Sequence, residues 1–400
     1  MAMLEVLGEG EGDNKNKMKI IQIGSYPLDV SCIKGGVEAS VYGLAQKLGE
    51  QHQVSVFDVP RVGINDFLEI SGNVIVRRFT NKGKNNIFAL LRIFSIIKKI
   101  KQEKPDICHI HGSNLFSFFL WLFLKISKIK VIVTIHGLIH VEQHNSWQKK
   151  RSVTNFIKLF YQSISEFLLL SLCKEIIVDT AYVELKIREY KKQRKIFRTP
   201  HCHIIPQGIS DVFFELENNA KHNHVLSVGA IGRRKGHLLL IEALAVVKKE
   251  IHNVKLTIAG SLHDKNYYVK IKEKIKEFNL EDNIQIKENI PLEKLLELYK
   301  ENTIFALHSE EESQGIVFCE AMAVGLSIVA TNVGGISYVV ENEKNGLLSS
   351  FGNIEDFACN IISLLKDDVL RNKMKEINKT EAIKYAWKNI SDKILSLYIV

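Results

Sequence analysis

The chain has 400 residues, which is more than one hydrophobic core usually holds, so two domains are expected. It is 46% hydrophobic and 25% charged, and its 6 Cys include no Cys-x-x-Cys pair. This composition indicates a globular protein, and the scattered cysteines suit a reducing compartment better than a disulfide-framed secreted domain.

The net charge of +9 is unevenly distributed along the chain. Residues 1–200 hold 30 Lys and Arg against 18 Asp and Glu, whereas residues 201–400 hold 24 against 27. The first half therefore carries the whole positive excess, and a negatively charged partner is expected there.

The N-terminal residues and the apolar runs do not indicate an exported or membrane-spanning chain. Residues 1–17 are Gly-rich and polar and are expected to form a tail outside the fold, without the charged and apolar regions of a signal peptide. The apolar runs Leu115–Leu124 and Phe167–Cys173 are shorter than the roughly 18 residues of a spanning helix, so buried helices are predicted there. A cytoplasmic protein is expected.

The first predicted strand, Met18–Gly24, is followed by a loop and then by a helix with apolar residues at helical spacing. Gly35 and Gly36 stand where that helix begins. Adjacent glycines let backbone N–H groups approach a phosphate closely, and the helix dipole favours its negative charge. A phosphate site and a plain tight turn both agree with this pair.

Two strands of β-branched residues in the first half each end in His-Gly. Ligands of open α/β sheets bind beyond the carboxyl ends of the strands, so His136 is a candidate to face a ligand. The alternative is a hydrogen bond from this imidazole to a neighbouring carbonyl. His109 and His111 are expected to alternate across their strand, so that only one of them faces the ligand. Earlier in the chain, strands are predicted at residues 54–57 and 74–77 and an amphipathic helix at residues 87–100.

The second half begins with a strand, a loop of Gly and cationic residues, and a helix from about His237. Arg233, Arg234 and Lys235 would converge with the helix N-terminus on one point, which favours a bound phosphate. A strand at 175–179 and a linker at 204–210 precede this loop, and the segments that follow it are predicted as strands at 254–259 and 283–287 and a helix at 292–299.

One later stretch places two carboxylates in a strand, loop, helix and strand pattern. Glu312 stands in the loop, and Glu320 lies in a helix that is expected to start near Cys319 and to end at Gly325, because Gly caps helix C-termini readily. The flanking apolar segments are predicted to be buried strands at residues 303–307 and 326–330.

The Glu-x7-Glu spacing followed by Ala-Met-Ala-x-Gly resembles the signature of the retaining glycosyltransferases of family 4, which have the α/β GT-B fold of two Rossmann-like domains facing across a cleft. Further segments resemble elements of that family. Gly35 and Gly36 match its Gly-Gly-x-Glu element, and residues 204–210 match its Ile-Pro-Asn-Gly linker with Gln207 at the usual Asn. Gly334 and Gly335 match a closing element and are expected to begin a helix at the cleft.

The resemblance covers residues 18–400 and implies a domain division. It implies an N-terminal acceptor-binding domain, a C-terminal domain that binds a nucleotide sugar, a hinge, and a last helix that crosses back to the first domain. The implied bounds are 18–205, 206–385 and 386–400, with the hinge near 205–213.

The resemblance also implies roles for single residues. Lys235 would neutralise the donor diphosphate, His136 would stabilise charge on the sugar, and Glu312 would orient sugar hydroxyls rather than act as a nucleophile. Glu312 and Lys235 are expected in a solvated cleft, so alanine at either position should leave the fold intact. Glu320 would hold the ribose. The other donor-binding residues implied are Gly35, Gly36, Arg233, Arg234, Ser313, Gln314, Gly315, Ile316 and Val317.

The basic loop departs from the family at one position. Ala230 stands where the family has an arginine, and either Arg233 or Arg234 is expected to compensate.

No metal or tightly bound cofactor is expected. His109, His111, His136, His140, His144, His201, Cys202 and His203 lack the fixed spacing of a zinc site, and the chain has no Asp-x-Asp pair for a diphosphate-bound divalent ion. The co-substrate implied is a nucleotide-diphosphate sugar, with a UDP-sugar favoured over a GDP-sugar.

The function implied is sugar transfer to a hydroxyl of a glycan or lipid-linked acceptor in cell-surface polysaccharide, lipopolysaccharide or glycolipid assembly. The alternatives are a GT-B nucleotide-sugar epimerase or sugar phosphorylase, or a non-catalytic GT-B subunit. The basic first half favours an anionic membrane surface as a further partner, with peripheral attachment to its inner face through Leu91–Lys104 and Gln148–Lys158. A plain solvated basic surface is the alternative, and nucleic acid is not expected.

Overall fold

The computed structural model of the protein describes residues 17–81, 90–138, 153–194 and 199–399. The predictions for the tail, for His140 and His144, and for the part of the basic run before Val153 lie outside the described residues.

The described residues of the first domain form one sheet of eight strands. The strands are β1 Lys19–Gly24, β2 Gln53–Asp58, β3 Phe67–Ser71, β4 Val74–Arg78, β5 Ile107–His111, β6 Val131–Ile135, β7 Glu175–Val178 and β8 His201–Ile204. Their order across the sheet is β3-β4-β2-β1-β5-β6-β7-β8, and only β3 at the edge runs antiparallel to its neighbour. The prediction of a parallel α/β domain is confirmed.

The second domain contains a parallel sheet of six strands within the described ranges. These are β9 His224–Val228, β10 Lys255–Gly260, β11 Ile284–Glu288, β12 Ile304–Leu307, β13 Ser327–Thr331 and β14 Gly346–Ser349. Their order is β11-β10-β9-β12-β13-β14, so the chain reverses direction across the sheet between β9 and β12. Ligands of such sheets bind where the strand order reverses.

Helices cover both sheets. They are α1 Gly36–Gly49, α2 Ile93–Glu103, α3 Leu115–Ile126, α4 Val153–Leu172, α5 Ala181–Arg194, α6 His237–Glu250, α7 Lys265–Glu277, α8 Leu292–Glu301, α9 Ile316–Val324, α10 Ile354–Lys366, α11 Asp368–Ala382 and α12 Trp387–Ile399. Because the central strands are buried on both faces, β5, β12 and β13 are continuous runs of buried residues rather than alternating ones. No helix in the described part of the chain combines the length and apolar character needed to cross a bilayer.

The two domains are joined at two adjacent crossings of the chain. Ile209 pairs with Ala386 in a short parallel bridge, and its N–H donates to the Tyr385 carbonyl at 2.9 Å. After the second crossing, α12 packs against α1 of the first domain. At the start of α12, the Trp387 indole fills the space between two glycines, Gly43 of α1 and Gly208 of the first crossing.

Three predictions of local structure were wrong. His109 and His111 do not alternate across β5, because residues two apart in a strand point to the same face, and their rings stack with centroids 4.3 Å apart. Helix α9 begins at Ile316 instead of near Cys319, since Gly315 turns the chain with a φ of 76°. Gly334 and Gly335 precede only a three-residue 3-10 helix, Ile336–Tyr338.

Candidate active site

A cleft runs between the domains along the carboxyl ends of the strands. It brings together every residue that the sequence analysis placed in the site, and their individual roles stay predictions. These residues are Gly35, Gly36, His136, Arg233, Arg234, Lys235, Glu312, Ser313, Gln314, Gly315, Ile316, Val317 and Glu320.

The basic loop, residues 229–236, forms one wall of the cleft. Arg233 and Arg234 are exposed, whereas Lys235 is only 9% exposed. The missing side chain of Gly229 leaves room for that lysine, because a β-carbon there would lie 3.1 Å from Lys235 Cε. Gly236 has a φ of 62° and lies so close to the carbonyl of His308 that no side chain fits.

Lys235 and Glu312 form a buried ion pair, with Nζ 2.5 Å from Oε1. Ser309 Oγ donates to the same carboxylate oxygen at 2.8 Å, and Glu312 is 4% exposed. Burial alone would raise the pKa of Glu312, but the positive charges of Lys235 and Arg234 and the hydrogen bonds to the carboxylate hold the pKa below its usual value. The expectation that both residues are solvated was wrong.

The acidic loop, residues 309–315, is held to its neighbours by backbone groups. Glu310 N–H donates to the Arg234 carbonyl at 2.8 Å, so the basic and acidic loops are joined directly. Gly335 N–H donates to the Glu312 carbonyl at 2.7 Å, and a side chain at Gly334 or Gly335 would overlap the backbone of Glu312 or Ser313. These two glycines therefore pack against the backbone of the acidic loop instead of starting a helix.

The N-terminus of α9 opens into the cleft beside Glu320. Gly315 is its N-cap, and the N–H groups of Ile316 and Val317 lie in the first turn, where a helix offers no backbone partners and favours an anion. Glu320 Oε2 accepts a hydrogen bond from Tyr299 Oη at 2.8 Å. Burial raises the pKa of Glu320 to about 7, with Tyr299 and Lys235 opposing the rise.

On the first domain, His136 is oriented by Asp179 and by a second histidine. Its Nδ1 lies 3.2 Å from both carboxylate oxygens of Asp179, and its Nε2 lies 3.1 Å from His111 Nδ1. Burial holds the pKa of His111 well below its usual value, so this imidazole is neutral. An Nδ1–H of His136 would donate to Asp179 and fix the tautomer, as carboxylate partners of histidines commonly do.

Asp179 was not predicted to be a site residue. Its signal was available, because Asp179 directly follows β7 and a carboxylate at that end of a strand faces the cleft. Gln207 was noted only as a departure in the linker, yet its Nε2 donates to Asp179 Oδ2 at 2.5 Å. Thr180 was missed too, and its Oγ1 donates to the Ser313 carbonyl across the cleft at 2.7 Å.

No group of three or more His, Cys, Asp or Glu side chains that could hold a metal ion occurs within the described ranges. His109, one of the histidines considered for a metal, instead contacts Tyr398 Oη and Thr134 Oγ1, each at 2.6 Å. Burial lowers its pKa to about 3.

Comparison with known proteins identifies the two domains separately. Residues 34–211 match the model of Glycosyltransferase Family 4, and residues 209–381 match the model of Glycosyl transferases group 1. The spore coat protein SA of Bacillus subtilis (strain 168) is 24% identical over 412 residues, which cover 95% of this chain and 99% of that protein.

Solved structures of similar fold cover nearly the whole chain. Sucrose-phosphate synthase from Thermosynechococcus elongatus superposes with a TM-score of 0.78 at 21% identity, over 95% of this chain and 98% of that one. Anabaena HepE, solved in complex with UDP and glucose, superposes with a TM-score of 0.70 at 17% identity, over 95% of this chain and 99% of that one. At this identity the likeness shows the fold alone. The two family matches together span residues 34–381, and the chain therefore belongs to the GT-B glycosyltransferases of the family 4 type.

Proposed function

We propose that the protein is a retaining, metal-independent glycosyltransferase that moves a sugar from a nucleotide-diphosphate donor to a hydroxyl of a glycan or lipid-linked acceptor. The observation that carries the proposal is the Lys235–Glu312 pair, which joins the basic loop to the acidic loop at the cleft between two Rossmann-like domains. A cationic group held beside a carboxylate in one cleft suits a substrate with both a diphosphate and a sugar.

Stabilising the departing diphosphate is the main chemical task of such a transfer. Lys235, the exposed Arg233 and Arg234, and the first-turn N–H groups of α9 supply positive charge and donors without a metal ion. Arg233 and Arg234 both line the cleft, so either can serve in place of the arginine missing at Ala230. His136 would stabilise positive charge on the sugar ring.

Retention follows from a same-face reaction. The acceptor oxygen would form its bond to the anomeric carbon on the face from which the diphosphate leaves, and a phosphate oxygen would take the acceptor proton. The ion pair with Lys235 and the hydrogen bond from Ser309, both at Oε1, lower the nucleophilicity of the Glu312 carboxylate. We propose instead that it orients sugar hydroxyls and holds Lys235 in place.

The favoured donor is a UDP-sugar. HepE, of the same fold, was solved with UDP and glucose, and this supports a UDP-sugar in the present cleft. Glu320, in the second turn of α9, would accept hydrogen bonds from the ribose hydroxyls.

The proposal is tested by incubating the protein with UDP-, GDP- and ADP-sugars and measuring released nucleotide, with and without lipid-linked acceptors. We expect release from one nucleotide class, faster with an acceptor, and a product of unchanged anomeric configuration by NMR. A chelator should leave the rate unchanged. Inversion at the anomeric carbon or loss of activity with the chelator would contradict the mechanism, and interconversion of nucleotide sugars without transfer would indicate an epimerase.

We further propose that the acceptor is presented on an anionic membrane and that the protein acts in polysaccharide, lipopolysaccharide or glycolipid assembly. Helices α2, α3 and α4 pack side by side on the first domain and expose apolar side chains. Leu91 is 73% exposed, and Phe94 and Phe160 are 68% and 55% exposed. Exposed lysines lie on α2 and α3 and just after their ends, namely Lys98, Lys101, Lys104, Lys125 and Lys128.

Such a mixture of exposed apolar and basic side chains is typical of helices that lie on an anionic lipid surface. The protein should co-sediment with anionic vesicles at low salt, and binding should weaken as the ionic strength rises. The double variant Phe156→Ser/Phe160→Ser on α4 should bind less, and Val369→Ser, at an apolar site of the second domain that is even more exposed, should bind like the wild type. Equal binding to neutral and anionic vesicles would indicate only a solvated basic surface.

A further inference from the structure

Gln207 lies at the first crossing between the domains, and its polar groups are almost completely engaged. Its backbone N–H donates to Gln314 Oε1 at 2.7 Å, and its carbonyl accepts from Gln314 Nε2 at 3.2 Å. Its side-chain Nε2 donates to Asp179 Oδ2 at 2.5 Å. The side-chain oxygen Oε1 has no hydrogen-bond partner among the described residues, although Gln207 is only 9% exposed.

The direction of this oxygen is fixed by its neighbour. If the amide turned over, Oε1 would face the Asp179 carboxylate, and two acceptors would then repel each other. Asp179 also lies 3.2 Å from His136 Nδ1, so the side-chain amide of Gln207 and the imidazole of His136 contact the same carboxylate. Gln207 therefore presents an acceptor, and never a donor, at this point.

The unpaired oxygen is next to the cleft. Gln207 and Gly36 both line it, and a β-carbon at Gly36 would lie 3.5 Å from Oε1, so the glycine keeps a side chain away from the buried oxygen. A buried carbonyl without a partner is unfavourable, which is why nearly all such groups in native proteins are paired with protein, water or ligand. The missing partner is thus a group that enters the cleft.

We propose that Gln207 Oε1 accepts a hydrogen bond from a hydroxyl of a substrate sugar, an inference that rests on the proposed function. The partner must donate a hydrogen, which excludes the diphosphate oxygens of the donor at neutral pH. Hydroxyls are the donors that sugars carry, and they belong either to the transferred sugar or to the acceptor. His136 lines the same cleft and shares Asp179 with Gln207, so the hydroxyl is bound near the imidazole proposed to act on the sugar.

The test compares the loss of single sugar hydroxyls in the wild type and in a variant that lacks Gln207 Oε1. For the nucleotide sugar that binds most tightly, dissociation constants are measured for the intact donor, for analogues lacking each sugar hydroxyl, and for the free nucleotide diphosphate. In the wild type, one deoxy analogue should bind about 3- to 10-fold more weakly than the intact donor. In Gln207→Met, that analogue and the intact donor should bind equally, and the free nucleotide should bind as it does to the wild type.

Deoxy acceptors distinguish the second source. If the hydroxyl belongs to the acceptor, donor analogues behave alike in both proteins, and one deoxy acceptor shows a raised KM in the wild type that disappears in Gln207→Met. If every deoxy donor and acceptor keeps its penalty in the variant, Oε1 binds only water and the inference is overturned. The wild-type series is informative even if Gln207→Met does not fold, since a series without any penalty would also overturn it.

Asp179→Asn serves as the matched variant. Asparagine can still accept from Gln207 Nε2, so the selectivity for the hydroxyl should persist while kcat falls through the loss of charge beside His136. A deoxy penalty that is lost in Asp179→Asn but retained in Gln207→Met would show that the hydroxyl contacts Asp179 instead of Gln207. If the deoxy penalty depends on Gln207 but the protein shows no turnover, the proposed function is wrong and this contact stands. If the protein turns over but the penalty does not depend on Gln207, the proposed function stands and this contact is wrong.

Discussion

Lys235 and Glu312 are buried and paired, so a substitution of either residue affects stability as well as chemistry. Glu312→Ala would leave the Lys235 ammonium buried without its carboxylate, and breaking a buried pair in this way typically costs about 3 to 5 kcal/mol. We expect Glu312→Ala and Lys235→Ala both to lose most transfer and to unfold at lower urea concentration. Nucleotide release and urea unfolding followed by circular dichroism measure the two effects.

Two further variants separate stability from chemistry. Glu312→Gln/Lys235→Met removes both charges, so we expect it to be more stable than either alanine variant and still inactive. Glu341→Ala removes an exposed partner of Lys344 at 2.8 Å and should change the unfolding free energy by less than about 0.5 kcal/mol. Wild-type turnover in the double variant would show that the pair is not catalytic.

Glu320 gives the site a pH dependence. Because its pKa is raised to about 7, the carboxyl is protonated below neutral pH and then accepts hydrogen bonds from ribose hydroxyls less well. We expect the KM for the donor to rise as the pH falls from 8 to 6, by roughly 3- to 10-fold, which corresponds to one weakened hydrogen bond. In Glu320→Gln the KM should be high and independent of pH.

The UDP-sugar must be used for this measurement rather than UDP, since a terminal phosphate has a pKa near 6 of its own. A wild-type donor KM that stays constant over this range would contradict the role of Glu320 in ribose binding.

The Glu320 carboxyl affects stability in the opposite direction, because its protonated form favours folding but weakens donor binding. A pKa raised on folding means that Glu320 favours the native state in its protonated form, a contribution that is complete below about pH 4.5 and is lost as the pH rises through about 7. Glu320→Gln should therefore be more stable than the wild type at pH 8, and the two should become similar at pH 5. Thermal unfolding at both pH values measures this difference.

The junction of α1, the first crossing and α12 depends on two glycines. A β-carbon at Gly43 would lie 2.1 Å from Trp387 Nε1, and one at Gly208 would lie 2.5 Å from the Trp387 ring. We expect Gly43→Ala to lower stability by about 1 to 3 kcal/mol, although alanine is the better helix former, because the indole has no room to move without repacking.

Thermal unfolding of Gly43→Ala checks this expectation. Gly35→Ala is the control for stability, since a β-carbon there meets nothing within 4 Å and the residue is extended. Gly43→Ala/Trp387→Phe should recover part of the loss through its smaller ring. A Gly43→Ala protein as stable as the wild type would mean that α12 is loosely packed.

Most helices and strands were predictable because their apolar residues either recur at helical spacing or form a short continuous run. Strands β12 and β13 are continuous apolar runs, and helix α6 begins at the predicted His237. Strand β3 was missed because it is an exposed edge strand whose Leu68 and Ile70 face solvent. The start of α9 was missed because a left-handed Gly315 starts the helix without a capping side chain.

Side chains of the first domain form hydrogen bonds with the acidic loop of the second domain. Thr180 Oγ1 donates to the Ser313 carbonyl at 2.7 Å, and Tyr182 Oη donates to Glu311 Oε1 at 3.3 Å. We expect Thr180→Val/Tyr182→Phe to favour an open arrangement with a larger radius of gyration, and to raise the donor KM by roughly 3- to 30-fold, as two lost hydrogen bonds would.

Small-angle scattering with and without donor tests this expectation, and saturating donor should restore the wild-type radius. Tyr161→Phe, a substitution on the outer face of α4, is the control. An unchanged radius and an unchanged KM in the double variant would show that other contacts hold the domains together.

The parts of the site that lie in one stretch of chain were predictable, and the parts that require two domains to meet were not. Glu312, Glu320 and Lys235 each belong to a local motif. The contacts of Gln207 with Asp179 and with Gln314 join residues 28 and 107 positions apart, and their partners depend on how the two crossings bring the domains together.

The return of α12 to the first domain has a consequence for the order of synthesis and folding. Trp387, Ile390 and Tyr398 pack in one core with Ile20 and other residues of the first strands, so that core stays incomplete until α12 has been made. At about 5 to 20 residues per second, the nascent first domain would expose this surface on the ribosome for roughly 10 to 40 s while the second domain is synthesised. Chaperone binding to stalled nascent chains should therefore persist until α12 has left the exit tunnel.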